Sequence, residues 1–211
     1  MDIYPDIKDR KAVLKTTLMN VTGKETEGTL HLVVREKQSG KTVYETQQKV
    51  ALAQPEQQQE MELPMGKNMK LWDEFHPFLY EVTARLTVGE AEHACSETFG
   101  MRQVEQGAHH IRLNGRDIHL RGALDCAAFP LTGYPATDVT SWKRIFQTVK
   151  SYGLNHIRFH SWCPPEAAFT AADEVGLYLQ AELPMWIKDV GKSPERRAFF
   201  ENEMRAILRE Y

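Results

Sequence analysis

The residues of this 211-residue sequence whose side chains are best suited to chemistry lie between positions 125 and 186. Carboxylates and a guanidinium can exchange charged hydrogen bonds, an imidazole titrates near neutral pH, and indole rings can stack on a flat ligand face. The six candidates are Asp125, Arg158, His160, Trp162, Glu182 and Trp186. Their types predict a site that binds a small polar molecule.

Each candidate lies in or just after a short segment that we predict to be a β-strand, at 120–124, 156–160 and 177–182. Helical periodicity or helix-start signals mark the segment 140–152, the segment from Pro164 to Gly176, and the segment from Ser193 to the last residue. Alternating strands and helices are typical of a parallel sheet, whose strands all end at one edge. The candidate side chains are therefore expected to converge at that edge.

Strand periodicity divides the second predicted strand into two faces. Ile157 and Phe159 lie on one face, which we expect to pack on helices, while Arg158 and His160 lie on the other. A charged arginine at this face must meet a carboxylate, because an unpaired charge removed from water is costly.

Three strand–helix units leave an unpaired sheet edge, whereas a (β/α)₈ TIM barrel contains eight such units in about 250 residues. We therefore predict that residues 103–211 are the first three βα units of a TIM barrel and that the sequence is part of a longer chain.

The first hundred residues have a different periodicity. Apolar residues alternate with polar ones over 13–19, 29–35, 42–50, 59–63, 78–88 and 91–99, which is typical of half-buried strands. Strands at this spacing predict an immunoglobulin-like β-sandwich over residues 1–102. The glutamine-rich segment 54–59 is expected to be a solvated loop, and Asn114-Gly115 to be the type I′ turn of a hairpin.

Several ordered motifs resemble those of glycoside hydrolase family 2, which contains β-galactosidases, β-mannosidases and β-glucuronidases. They are Leu71-Trp72 with His76 to Tyr80, Phe99-Gly100-Met101-Arg102, Leu113-Asn114-Gly115, Arg121-Gly122, Lys150 to Arg158, and Asp173 to Glu182. The resemblance implies the same fold class, an immunoglobulin-like sandwich followed by a TIM barrel. It also implies a retaining mechanism that uses two glutamates at the ends of barrel strands four and seven.

Neither of those two strands is present, so we expect the acid/base and the nucleophile to lie beyond Tyr211 and no catalytic residue to lie within the sequence. Asn202-Glu203 imitates the family's asparagine–glutamate pair, but it falls inside a predicted helix and is expected to be a solvated helix face.

The sequence departs from the family pattern at two places. Leu124 and Cys126 stand where the family often has an asparagine and a histidine, and His160-Ser161 stands where many members have serine followed by histidine. We therefore expect a pocket unlike that of a typical β-galactosidase.

Each candidate has a functional and a structural alternative. By resemblance Arg158 orients a catalytic carboxylate, but it could equally form a structural ion pair. Glu182 is expected to bind sugar or join a charge network rather than donate the proton. His160 contacts a sugar hydroxyl or a backbone carbonyl, and the two indoles stack on a pyranose ring or simply pack. Cys126 and Cys163 are expected to be small buried hydrophobes.

The function predicted for the parent protein is that of a retaining exo-β-glycosidase, β-galactosidase-like, which removes terminal β-linked sugars and of which this chain is an inactive fragment. The alternatives are a non-catalytic carbohydrate-binding or interaction module and a catalytically dead relative. No cofactor and no metal are expected, since neither a CxxC nor a third ligand near His109-His110 is present.

The charge balance is 26 basic and 29 acidic residues, a net charge of −3 without long single-sign blocks, which argues against nucleic acid as a partner. The sequence contains no apolar run long enough to predict a membrane span, so we expect a soluble protein. The family resemblance implies a carbohydrate substrate as its partner. We also expect the exposed edge of the third barrel strand to cause aggregation or dimerisation. The compartment stays open, a periplasmic or secreted parent being one alternative.

Overall fold

The computed structural model describes residues 1–211, except for the side chain of Val190. The chain divides into two compact units, Met1–Ile118 and His119–Tyr211. The first unit is built from β-strands, and the second combines strands with three α-helices. No helix in the described part of the chain is long and apolar enough to cross a membrane.

Seven strands of the first unit form two antiparallel sheets. They are β1 (Asp2–Asp6), β2 (Lys11–Met19), β3 (Thr26–Glu36), β4 (Thr42–Leu52), β5 (Glu56–Pro64), β6 (Tyr80–Val88) and β7 (Ala91–Phe99). One sheet has the order β1-β2-β5 and the other β4-β3-β6-β7. The strands predicted from alternation thus form, with boundaries shifted by a few residues.

The two sheets share one hydrophobic core, which explains the period of two in the sequence. Alternate residues of β6 are buried, Tyr80, Val82 and Ala84, because one face of the strand packs inward and the other faces water. Leu14 of β2 and Leu32 of β3 belong to the same buried cluster, so the core joins both sheets.

One expectation for this unit was wrong, and one strand was not predicted. The segment 54–59 is not wholly a loop, because β5 begins at Glu56 and Gln57 pairs with Leu18 of β2. Strand β1 lacks an alternating apolar pattern and contains Pro5, yet it forms because it lies at the sheet edge and pairs along its length with β2.

A small three-stranded sheet completes the first unit. Its strands are β8 (Val104–Gln106), β9 (Ile111–Leu113) and β10 (Arg116–Asp117), in the order β10-β9-β8. Asn114 and Gly115 have φ angles of 53° and 77°, the left-handed values that a type I′ turn requires. The predicted hairpin turn is confirmed.

In the second unit, strands β11 (Gly122–Asp125), β12 (His156–Phe159) and β13 (Tyr178–Gln180) pair in parallel in that order. The helices are α1 (Val139–Ser151), α2 (Glu166–Val175) and α3 (Pro194–Glu210), and a short 3₁₀ helix, Val190–Lys192, precedes α3. The predicted alternation of strands and helices is confirmed. The third strand ends at Gln180, so Glu182 lies just beyond it.

The helix boundaries follow local signals. Asp138 caps α1 by accepting a hydrogen bond from the Ser141 amide at 2.8 Å, and Ser193 caps α3 from the residue before Pro194. Helix α2 ends at Gly176, whose φ of 79° is the left-handed conformation favoured by glycine.

The three helices differ in how they are buried. Helices α1 and α2 contribute Trp142, Phe146 and Ala171 to a second hydrophobic cluster, which Ile157 and Phe159 of β12 complete. On α3 only Phe200 is buried. Three large apolar residues of the same helix are exposed: Phe199, Met204 and Leu208. The apolar pattern predicted the helix correctly, but most of the apolar side chains in that pattern are exposed to solvent.

Candidate substrate-binding site

The Arg158 side chain lies on the face of β12 opposite the helices. Its neighbours Ile157 and Phe159 are buried against α1 and α2, as the strand periodicity predicted. The Arg158 Nε donates a hydrogen bond to Oε1 of Glu182, which follows the next strand. The expected carboxylate partner of Arg158 is therefore present, and it is one of the six predicted residues.

Glu182 is fixed from several directions. Its Oε2 accepts a hydrogen bond from the Ser161 amide at 2.8 Å, and its own amide donates to the Trp162 carbonyl at 3.1 Å. The Gln180 side-chain amide lies 3.4 Å from Oε1. These contacts tie the end of β13 to the loop that follows β12.

Ser161 adopts a φ of 62°, which is uncommon for a residue other than glycine. Side-chain types alone predict neither this left-handed conformation nor a backbone amide as a hydrogen-bond donor to Glu182.

The hydrogen bond from Arg158 holds the pKa of Glu182 below its usual value, and the Ser161 amide lowers it further. Both interactions favour the carboxylate form because positive or N–H groups stabilise negative charge. Glu182 is therefore an ionised hydrogen-bond acceptor at neutral pH and is poorly suited to donate a proton.

The rings of His160 and Trp186 contact each other. In sequence, His160 follows Arg158 by two residues and Trp186 follows Glu182 by four. The two ring centroids are 4.7 Å apart with an interplanar angle of 76°, an edge-to-face contact. The Trp186 side chain is exposed, at 78% of its full area. An exposed indole held by a second ring can receive the apolar face of a ligand.

Trp162 is engaged in packing. Its ring makes edge-to-face contacts with Phe159 at 5.1 Å and Phe129 at 5.9 Å, and its Nε1 lies 3.3 Å from the Asp125 carbonyl. These contacts match the structural alternative for this residue, and its predicted role in binding stays a prediction.

Asp125 is separated from the Arg158 side chain by strand parity. It pairs in register with Phe159, whose side chain packs toward the helices, whereas Leu124 pairs with Arg158. The Asp125 Oδ1 accepts a hydrogen bond from the Ala127 amide at 2.8 Å. The structure thus uses this carboxylate in the turn after β11, and a contact with substrate stays a prediction.

The two cysteines near the site differ. Cys126 is exposed, so the expectation that it is buried was wrong, because it lies in the turn after β11 rather than in the sheet. Cys163 is partly buried, and burial raises the pKa of its thiol. Across the described residues, no group of three His, Cys, Asp or Glu side chains is arranged to hold a metal ion.

Two motif residues hold the strands and helix of the site in place through hydrogen bonds to the backbone. Asn155, which is 2% exposed, accepts from the Arg121 amide at 2.8 Å and donates to the His119 carbonyl at 3.0 Å. The Lys150 ammonium donates to the carbonyl of Val175, the last residue of α2, at 2.8 Å. These side chains set the positions of β11, β12 and α2, on which Arg158 and Glu182 depend.

The motifs of the first unit form one junction. The Asn114 side chain donates to the Trp72 carbonyl at 3.0 Å and accepts from the Gln103 amide at 2.9 Å. Arg102 lies over the Trp72 ring at 4.9 Å, and a Cβ at Gly100 would be 2.8 Å from the Trp72 Cβ. Segments far apart in sequence therefore meet around one buried indole.

Residues 1–102 match the model of the family described as "Glycosyl hydrolases family 2". A β-galactosidase of Thermoanaerobacterium thermosulfurigenes is 26% identical over 145 residues, which cover 69% of this chain and 20% of that protein. The resemblance predicted from the sequence motifs is confirmed. The chain spans about a fifth of the length of this relative.

Solved structures share the fold. A glycosyl hydrolase family 2 member from Bacteroides cellulosilyticus has a TM-score of 0.77 at 20% identity, covering 97% of this chain and 27% of that one. A Bacteroides uniformis β-glucuronidase has a TM-score of 0.76 at 20% identity, covering 92% of this chain and 24% of that one.

Proposed function

We propose that the chain is part of a retaining exo-acting β-glycosidase, β-galactosidase-like, that removes terminal β-linked sugars. Its domains are an immunoglobulin-like sandwich over residues 1–102 and the first three βα units of a TIM barrel over residues 103–211. The family match and the three parallel strands with their helices support this proposal.

The observation that carries the proposal is the Arg158–Glu182 pair at the carboxyl ends of parallel strands. This is the edge where barrel enzymes bind substrate. In the proposed site, Arg158 and Glu182 provide the charged hydrogen-bonding groups, His160 hydrogen-bonds a sugar hydroxyl, and Trp186 stacks on the pyranose ring. Trp162 and Asp125 lie at the border of the proposed site, in the loops that follow β12 and β11, where the Trp162 indole donates to the Asp125 carbonyl.

The Glu182 carboxylate has a defined part in this arrangement. It is held ionised by Arg158, so it can accept hydrogen bonds from hydroxyls or neutralise Arg158, but it does not supply the proton of the first step. That proton and the nucleophilic attack are assigned to two glutamates beyond Tyr211. We therefore expect the chain of residues 1–211 to be catalytically inactive.

Hydrolysis of aryl β-glycosides by the purified chain tests the assignment of the catalytic glutamates. The control is the double variant Glu182→Gln/Glu203→Gln, which removes the two strongest candidates within the chain. We expect the same background rate for both proteins. Turnover by the original chain above that of the variant would contradict the proposal.

Sugar binding is tested separately by titrating galactose, mannose and glucuronate into the chain and following indole fluorescence or NMR shifts. Trp186→Ala is expected to weaken binding by roughly tenfold, which is the loss of one aromatic stacking contact. Trp186→Phe is the matched control and should retain most of the affinity. Equal affinity of all three proteins would contradict the stacking role.

A non-catalytic carbohydrate-binding module is the second candidate. The ionised Glu182 and the exposed Trp186 suit binding rather than proton transfer, so the site within this chain is compatible with either protein. The coding sequence that follows the codon for Tyr211 separates the two. Further βα units with strand-end glutamates, one of them preceded by asparagine, support the glycosidase, and their absence together with measurable sugar binding supports the module.

A further inference from the structure

Strand β7 is an exposed edge of the first unit, and its outer side pairs with no other strand among the described residues. One of its amides, that of Thr98, donates to the Glu97 carboxylate at 3.2 Å, a contact that pairing with another strand would have to replace. It lies at the end of the sheet β4-β3-β6-β7, and each of its nine residues pairs with β6 without a register shift. The first seven residues, 91–97, are all exposed. On such a strand, alternate backbone N–H and C=O groups point away from the sheet and can pair with another strand.

The other edges of the two main sheets carry features that hinder such pairing. Strand β1 contains Pro5, β5 ends at Pro64 and follows Pro55, and the pairing that β4 makes with β3 shifts between Val34 and Arg35. Proline and irregular register are devices that protect sheet edges. Strand β7 contains no proline and no lysine.

The charges on β7 do not protect it fully. Glu92 forms an ion pair with Arg85 of β6, so its charge is compensated within the chain. His93 and Glu97 are both exposed, and they lie on the same face of the sheet as Cys95. The two residues are spaced symmetrically about Cys95, two positions on either side.

We propose that β7 pairs antiparallel with β7 of a second copy of this chain, with the two-fold axis at Cys95. In this register His93 lies opposite the second copy's Glu97, and the same contact occurs again by symmetry. Ala94 lies opposite Ser96 and Glu92 opposite Thr98, so no like charges meet. The two four-stranded sheets become one continuous sheet of eight strands.

Other registers lose this complementarity. A parallel pairing in register sets Glu92 against Glu92 and Glu97 against Glu97, which is unfavourable because like charges directly opposite destabilise a sheet. Shifting the axis by one residue, to Ala94 or Ser96, sets His93 opposite Cys95 or Phe99. The contact between imidazole and carboxylate and the absence of facing like charges therefore select the Cys95-centred register.

Thiol cross-linking of the whole chain tests the register. In the variant Cys126→Ser/Cys163→Ser, only Cys95 can react with a short bifunctional maleimide, and we expect a covalent dimer. The matched control is Cys95→Ser in the otherwise unchanged chain. Dimers that form in this control but not in the first variant would mean that the chain associates through the second unit, and would overturn the proposal.

Charge variants test the contacts. His93→Glu should weaken the dimer seen by light scattering at least about tenfold, because it sets two glutamates opposite each other twice. His93→Glu combined with Glu97→Lys should restore it, since opposite charges then lie opposite each other. Glu27→Lys, on the interior strand β3, is the control. A monomer at high concentration in the original chain, or a dimer indifferent to these changes, would overturn the proposal.

Discussion

The imidazole of His156 lies so close to Gly122 that a Cβ at residue 122 would be 2.5 Å from its Nδ1. The two residues are register partners in the parallel pair of β11 and β12. Partial burial of this ring lowers the pKa of His156, because the surroundings disfavour its charged form. The glycine of the Arg121-Gly122 motif thus has a steric reason, which is the room required by the histidine ring.

Gly122→Ala is expected to lower the free energy of unfolding by about 1–3 kcal/mol, since the added methyl must displace the His156 ring. Urea denaturation measures the change. Gly191→Ala is the control in the same unit, because a Cβ at residue 191 would meet nothing within 4 Å. Equal stability of the Gly122 variant and the original chain would show that the ring moves aside without cost.

Asn155→Ala should destabilise the second unit by about 2–4 kcal/mol. The substitution leaves the Arg121 amide and the His119 carbonyl without their buried partner. The exposed Asn202→Ala on α3 is the comparison, and it should change the free energy of unfolding by less than about 0.5 kcal/mol. Thermal denaturation followed by circular dichroism measures both, and similar effects of the two changes would contradict the role given to Asn155.

At Asn114, two substitutions separate the backbone from the side chain. Asn114→Gly still favours the left-handed backbone conformation but loses the side-chain hydrogen bonds with Trp72 and Gln103. Asn114→Ala loses these hydrogen bonds and also disfavours the left-handed conformation. We expect Gly to cost about 1–2 kcal/mol and Ala about 1 kcal/mol more. Chemical denaturation of the two variants side by side provides the test, and an alanine variant as stable as the glycine variant would exclude the conformational contribution.

The ionised Glu182 predicts a pH dependence. Because its pKa is lowered in the folded chain, the stabilisation is present above the pKa of the unfolded chain, about 4.3, and is lost as the pH falls through the folded value. Glu182→Gln should therefore have a lower melting temperature than the original chain at pH 7, and the difference should shrink below about pH 4. Glu203→Gln on α3 is the control, and a difference that stays constant with pH would contradict the prediction.

The sequence predicted those elements whose periodicity comes from a shared core. Strands β2, β3, β4 and β6 and the helices α1 and α2 belong to this class, since one face of each packs against apolar neighbours. Strand β7 was also predicted, although only Phe99 at its end lies in the core. Strand β1 escaped prediction because its formation depends on pairing with β2. The beginning of β5 escaped for the same reason, since Gln57 and Gln58 lie in a strand only through their partners in β2.

The site was predictable where chemistry requires a partner. A carboxylate partner was predicted for Arg158 on the premise that the charge is removed from water, and Glu182 is that partner although the Arg158 side chain is 44% exposed. The Ser161 amide was not predictable, because a left-handed serine has no signature in the sequence. Trp162 and Trp186 could not be distinguished by residue type, yet one is packed among phenylalanines and the other is exposed.

The junction around Trp72 has a consequence for sequence divergence. Gly100 is required only while an indole occupies the space beside it, and Asn114 has its side-chain amide directed to the backbone of the same tryptophan. Selection on these three positions is therefore coupled. Homologues that replace Trp72 by a small residue should also accept larger side chains at residue 100, so the three motifs should be retained or lost as one inherited unit.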